Sequence, residues 1–210
     1  MVGISILQIR VATMFMLDPD IILLLTHLSK KGYATAFARL DLGGSSTVTP
    51  IMPPNVIAIK GNVRVDYDFS RRSLGVEGSN PQEVASAFQD VLDVLKSLGI
   101  DLQKALILCE AIVIASVSLS PKFSSNRVEV LDLLGYNLRI VEAGFALEDG
   151  DPASPTRWLH VRVVPIYSSY KPSEKENLYR VEVVYRDERE KMMRFIENVV
   201  NVLMELLKRV

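Results

Sequence analysis

Apolar and polar residues alternate along Ile4 to Met16, the pattern of a strand with one buried face. The pattern changes at Asp18-Pro19-Asp20, where Asp18 is placed to cap a helix and Pro19 to occupy its first turn. This helix is predicted to run to Lys31 and to end at Gly32. Tyr33 to Leu42 alternates again and predicts a second, half-buried strand.

The next segments complete one unit of the pattern. Gly43 to Pro54 is rich in Gly, Ser, Thr and Pro and is predicted to be a loop. Asn55 to Phe69 predicts a long strand, bulged at Gly61, and Ser73 to Gly78 predicts its short partner. A helix follows Asn80-Pro81 and ends at Leu98-Gly99, and it carries one apolar face.

The second half of the chain repeats this order of elements. Strands are predicted at Ala105–Leu119, Asn137–Glu148, Arg157–Tyr167 and Leu178–Tyr185, with loops at Asp149–Pro155 and Ser168–Asn177. A short helix is predicted after Pro121, ending at Leu134-Gly135-Tyr136, and a final helix from Asp187 to about Arg209. Gly32-Tyr33 and Gly135-Tyr136 fall at the same point of each half. We interpret this as a duplication into residues 1–100 and 101–210; a chance match of element order is the alternative.

The predicted fold class is α+β, with two pseudo-repeats of a β-α-β-β-β-α unit. Each unit offers an antiparallel sheet with one apolar face and a long amphipathic helix to cover that face. Two units side by side would form a continuous curved antiparallel sheet with helices on one face and the other face open.

This element order resembles the duplicated saddle of the TATA-binding protein. The landmarks are the Asp18-Pro19-Asp20 helix start, the turn before Ser73 and the long helix ending at Leu98-Gly99. The resemblance spans nearly the whole chain and is one of architecture. It implies an open sheet face of the kind with which that family contacts DNA.

The chain departs from that family on this face. The family's DNA surface is apolar and basic, and pairs of Phe wedge between base steps. Phe37 and Phe145 are the nearest candidates here, and their strands also carry Asp41 and Glu142, which would repel phosphate. The resemblance in fold therefore does not carry DNA binding over to this chain.

Reading the outward parity of each strand gives the candidate ligand-binding residues of the open face. Arginine offers paired donors to carboxylate or phosphate, so these residues would suit a polar or anionic partner. Two alternatives are a solvated surface of cross-strand ion pairs and a dimer interface. The candidates are Arg10, Arg39, Lys60, Arg64, Arg139, His160, Arg162 and Arg180.

Composition narrows the function classes. Hydrophobic residues make up 49% and charged residues 23%, typical of a globular protein, and the net charge of -1 lacks the basic excess of a dedicated nucleic-acid binder. The single cysteine, Cys109, is expected in the core, and His27 and His160 have no metal-like spacing, so we predict no metal and no cofactor. Without a basic leader or a long apolar span, the protein is expected to be cytoplasmic and not membrane-bound.

We therefore expect a non-catalytic binding or scaffold protein that holds an unknown macromolecule or another copy of itself, for example as a homodimer. One alternative is a nucleic-acid-binding protein that uses the open face. A second is a small-ligand-binding protein or enzyme with its site between the two units, lined by Arg64, Arg162 and His160, with Glu110 beside them. Enzymatic activity is not favoured, because two His and one Cys supply no nucleophile–base pair.

Overall fold

The computed structural model describes residues 3–16, 18–35, 37–42, 45–50, 52–53, 55–119, 131–133, 136–138, 143–147, 151–154, 156–166 and 177–209. The elements in chain order are β1 (Gly3–Phe15), α1 (Ile21–Lys30), β2 (Ala34–Thr35), β3 (Phe37–Leu42), β4 (Ser45–Pro50), β5 (Val56–Lys60), β6 (Val63–Asp68), β7 (Ser73–Gly78), α2 (Pro81–Ser97), α3 (Leu102–Ala105), β8 (Leu106–Leu119), β9 (Leu131–Leu133), β10 (Tyr136–Leu138), β11 (Ala143–Ala146), β12 (Trp158–Pro165), β13 (Asn177–Arg186), α4 (Arg189–Glu197) and α5 (Val199–Arg209).

The main sheet is antiparallel and has nine strands in the order β11-β12-β13-β8-β1-β7-β6-β5-β2. The two longest strands, β1 and β8, pair with each other at its centre. A bulge between Ile6 and Gln8 interrupts this pairing, and Leu7 at that point is 53% exposed. The sheet is thus continuous across both halves of the chain.

The helices pack on one face of this sheet. Alternate strand residues such as Val11, Val76, Val65 and Val113 are fully or almost fully buried, and they form one core cluster with the apolar faces of the helices. Helix α2 contacts β1, β6 and β7, α4 contacts β8, and α5 contacts β1. The opposite strand parity, exemplified by Arg10 and Glu77, is less deeply buried. The predicted α+β class, with helices on one face of an antiparallel sheet, is confirmed.

Helix ends follow the predicted chemistry, with one correction. Asn80 caps α2 by accepting from the backbone N–H groups of Gln82 and Glu83, and Gly32 follows α1 with a φ of 86°. Asp18 does not cap α1 as predicted. Asp20 does, because its carboxylate reaches the N–H of Leu23, while Asp18 accepts a hydrogen bond from the Tyr67 hydroxyl.

Three predicted strands are each represented by two separate strands. Asn55–Phe69 is a hairpin, with β5 and β6 joined at Gly61, where a φ of 58° suits glycine. Tyr33–Leu42 divides into β2 and β3, and Asn137–Glu148 is represented by β10 and β11. A continuous apolar pattern does not distinguish one long strand from two joined by a tight turn, which explains the error at Gly61.

Two further predictions are wrong. Within the predicted loop Gly43–Pro54, Ser45–Pro50 is the strand β4 paired with β3, consistent with the strand preference of Thr47, Val48 and Thr49. The predicted end of the short helix after Pro121 is instead β9, which pairs with β10. The Leu-Asp-Leu sequence of β9 has period two, which favours a strand. The preceding part of that predicted helix lies outside the described residues.

The predicted final helix is divided into α4 and α5 at Asn198, whose side chain donates to the carbonyl oxygen of Arg194 at 2.9 Å. Within the described part of the chain, no helix combines the length and the apolar character that crossing a membrane requires.

Candidate functional site

The sheet face opposite the helices, here called the open face, is formed by the outward parity of β1 and of its neighbours. Neighbouring positions across the strands run Arg64, Glu77, Arg10, Ile112, Val184 and His160 from β6 to β12. Opposite charges are therefore adjacent on the β6 side of this row, and apolar residues lie at its centre. Arg64 forms an ion pair with Glu77.

Arg10 reaches across one strand to a partner two strands away. Its guanidinium donates from Nη2 to Oδ2 of Asp66 on β6 at 2.6 Å, although β7 lies between β1 and β6. The guanidinium passes over Gly75 of β7: a Cβ on Gly75 would lie 2.6 Å from Nη2 and 2.9 Å from Cζ of Arg10. The side chains of Arg10 and Asp66 are 27% and 19% exposed. Gly75 thus provides the space for this partly buried ion pair.

Arginines on the other side of β8 are paired in the same way. Arg186 of β13 donates from Nε to Oε2 of Glu110 at 2.6 Å. Glu182 lies 2.8 Å from Nε of Arg180 and 4.0 Å from Nη1 of Arg162. Every described arginine in the strands of the open face therefore contacts a carboxylate. The attraction that these arginines would offer a phosphate is largely neutralised.

An aliphatic cluster occupies the centre of the open face. Ile112 and Ile114 are successive outward residues of β8, and Val184 of β13 is the register partner of Ile112. All three are partly exposed. Only Glu110 was predicted on this face of β8, but the unbroken apolar run Ala111–Ala115 indicates a strand with apolar residues on both faces. An apolar centre ringed by charged groups is the usual composition of a protein-binding surface.

Lys60 does not lie on the open face as predicted. The turn at Gly61 follows it directly, and Lys60 pairs in register with the buried Val63, so its side chain projects to the helix side. There its ammonium lies 3.3 Å from Oδ2 of Asp90 on α2 and 4.9 Å from the centre of the Tyr33 ring. The predicted alternation was extended through a turn, which inverted the parity.

Asp90 is the centre of a polar cluster on the helix side. It accepts hydrogen bonds from Lys31 at 2.8 Å and from the Tyr33 hydroxyl at 3.1 Å, in addition to Lys60. Burial acts to raise the pKa of Asp90, but these three donors outweigh it and hold that pKa below its ordinary value. Burial, together with the charge of Asp90, raises the pKa of Tyr33. The cluster borders a cavity of about 470 Å³ and links the segment that follows α1 to β5 and α2.

The remaining predicted site residues are separated. Arg39 lies in β3, which pairs with β4 in a two-stranded sheet and not in the main sheet, so its predicted place on the open face is wrong. Arg139 lies outside the described residues. His160 lies on the open face with its ring stacked near Trp158 at 6.3 Å between centres.

A single site between the two halves is not formed by Arg64 and Arg162. Arg64 lies on β6 and Arg162 on β12, five strand positions apart in the sheet. At about 4.8 Å per strand, their backbones are roughly 24 Å apart. Since Glu110 is also paired with Arg186, the predicted lining residues do not converge.

Cys109 has the environment of a core residue. It is 7% exposed, its thiol donates to the Thr13 hydroxyl at 3.8 Å, and burial raises its pKa. Thr13 in turn donates to the carbonyl oxygen of Leu108. His27 is 3.4 Å from the Ser97 hydroxyl, and that hydroxyl already donates to the Val94 carbonyl oxygen. Neither arrangement contains an activated nucleophile.

We expect Gly75→Ala to lower the free energy of unfolding by about 1–2 kcal/mol, because the new methyl group displaces the Arg10–Asp66 ion pair. Urea denaturation measures the change. In an Arg10→Ala/Asp66→Ala background, the same substitution should cost much less, since both displaced side chains are already gone. Equal costs in the two backgrounds would contradict this role of Gly75.

We expect Asp90→Asn to lower stability at pH 7 by about 1–3 kcal/mol, because Lys31, Lys60 and Tyr33 lose a charged acceptor. A carboxyl with a lowered folded-state pKa stabilises the fold above its unfolded pKa of about 3.9, and this contribution is lost as the pH falls through the folded-state pKa. The difference from wild type should therefore shrink in acid. Asp93→Asn on the same helix, a more exposed site, is the matched control, and a pH-independent difference would refute the assignment.

Within the described ranges, no group of three or more His, Cys, Asp and Glu residues is placed to hold a metal ion. No protein-family model, curated protein or solved structure matches this chain. The function therefore has to follow from the chemistry of the described residues.

Proposed function

We propose that this protein is a non-catalytic binding or scaffold protein, and that its open face holds another protein chain, with a second copy of itself as the partner. The observation that supports this most directly is the aliphatic cluster of Ile112, Ile114 and Val184 between ion-paired charges. Apolar groups at the centre supply the association energy, and the paired charges form a rim that needs no counterion from the partner.

A second copy fits this surface for two reasons. The open face carries Arg–carboxylate pairs on both sides of the cluster, so each copy presents charges of both signs on either side of its apolar centre. A two-fold dimer requires a patch that is complementary to itself, and an aliphatic cluster meeting its own copy satisfies that requirement.

The strand order supports an internal duplication as part of this proposal. β1 is followed across the sheet by β7, β6 and β5, and β8 by β13, β12 and β11, so corresponding strands of the two halves lie in mirrored order. We infer that the halves are repeats arranged as in the TATA-binding protein, with β1 and β8 as the first strands of each. The pairing of the arginines does not favour transfer of that family's DNA binding.

The self-association is tested by sedimentation and light scattering over a range of protein concentrations. We expect wild type to form a dimer and the double variant Ile112→Arg/Ile114→Arg to weaken it at least about thirtyfold, since central apolar contacts commonly contribute about 2 kcal/mol or more. Ile22→Arg, at a 68% exposed position of α1, is the control and should dimerise normally. A wild type that stays monomeric at every concentration, or a double variant that dimerises like wild type while keeping its circular dichroism, would overturn the proposal.

We further expect no salt-sensitive binding of mixed-sequence duplex or single-stranded DNA. Release of counterions from phosphate requires unpaired cations, whereas Arg10, Arg64 and Arg186 already contact carboxylates. A fluorescence anisotropy titration at low and moderate salt measures this. Binding that weakens steeply with salt and is lost in Arg64→Ala/Arg162→Ala would contradict the proposal and favour the nucleic-acid alternative.

A further inference from the structure

A cavity of about 440 Å³ lies on the helix side of the sheet, between β12 and β13 and the helices α4 and α5. This volume is within the range of small-molecule sites, which is about 300–1,000 Å³. Its walls are aliphatic and aromatic side chains of both layers, among them Val161, Val183, Phe195, Leu203 and Leu206. Val202, which also lines it, is 43% exposed, so the cavity extends to the protein surface.

At the β5 end of the sheet, the same face is filled differently. There α1 contacts β5 and α2 and buries Leu24, Leu25 and Leu28 in the core. At β12 and β13, the cavity lies between the sheet and the helices α4 and α5. Its apolar walls are partly exposed to water, and a bound apolar ligand would remove this unfavourable exposure.

Two cations line the same cavity. Lys191 and Arg194 are three positions apart on α4 and so lie on one side of it. Lys191 is held by Asp187 at 3.1 Å and by Glu188 at 3.6 Å. Arg194 forms no ion pair or side-chain hydrogen bond within the residues that the structure describes, although its charge acts on Glu190. The cavity therefore combines an apolar interior with the exposed guanidinium of Arg194.

We propose that this cavity binds a free medium-chain fatty acid such as laurate, with the alkyl chain against the aliphatic walls and the carboxylate at Arg194. Each buried methylene contributes about 0.8 kcal/mol, and a guanidinium can donate two parallel hydrogen bonds to a carboxylate. The site lies on the side of the sheet opposite the open face, so it goes beyond the proposed dimer function and is independent of it.

The test uses the full-length protein and laurate below its micelle-forming concentration, followed by isothermal titration calorimetry. We expect saturable binding of one laurate per chain. Arg194→Gln should weaken laurate binding about fivefold and leave dodecanol binding unchanged, because only the carboxylate uses the guanidinium. Val202→Glu should weaken both ligands about tenfold or more, since it places a charge at the mouth of the cavity.

Two control variants distinguish binding in this cavity from a general effect of surface charge and from the dimer interface. Arg71→Gln removes a 78% exposed cation in the turn between β6 and β7 and should bind laurate normally. Ile112→Arg/Ile114→Arg should also bind laurate normally, so that failure of the dimer and failure of the cavity are distinguishable. An absence of saturable binding, or variants Arg194→Gln and Val202→Glu that bind laurate like wild type, would overturn the proposal.

Discussion

The antiparallel pairing of β1 with β8 is the constraint on which the rest of the structure depends. It joins the first strand of the chain to a strand about a hundred residues later, as in the pair Ile9–Val113. In the sheet, β7 pairs with the other edge of β1 and β13 with the other edge of β8. Such distant pairings are slow to form, because the loop between them must be closed before the contacts stabilise it. Because β1 precedes both of its partners in the chain, this apolar segment has to stay unpaired until β7 and β8 have been synthesised.

A sheet with helices on one face has to make its other face compatible with water. This chain does so by placing opposite charges next to each other, as in Arg64–Glu77 and Arg186–Glu110, while Ile112 and Ile114 stay partly exposed at the centre. The ion pairs cancel much of the charge on the open face, and the isoleucines keep its centre apolar. A nucleic-acid surface differs in that its cations stay available for phosphate.

The sequence was sufficient for the fold class and for most elements, because strand alternation and helix capping are local signals. Asn80, for example, both predicts and caps α2. The sequence was insufficient where the face on which a residue lies, or the existence of a strand, depended on the position of a single turn. Because the chain turns at Gly61, Lys60 faces the helix side and not the open face as predicted. The strand β4 was missed because its Ser- and Thr-rich sequence resembles that of a loop. Local patterns also could not predict the partners of the arginines, since pairs such as Arg10–Asp66 join residues 56 positions apart.

The absence of a side chain at Gly75 has an evolutionary consequence. Arg10, Asp66 and Gly75 lie on three different strands, yet each is useful in its present form only while the other two are retained. A lineage that gained a side chain at position 75 would lose the selection that maintains the other two, and their substitutions would then accumulate together. Among diverged relatives, these three positions should covary as one unit, and the identity of residue 75 should indicate whether positions 10 and 66 still carry opposite charges.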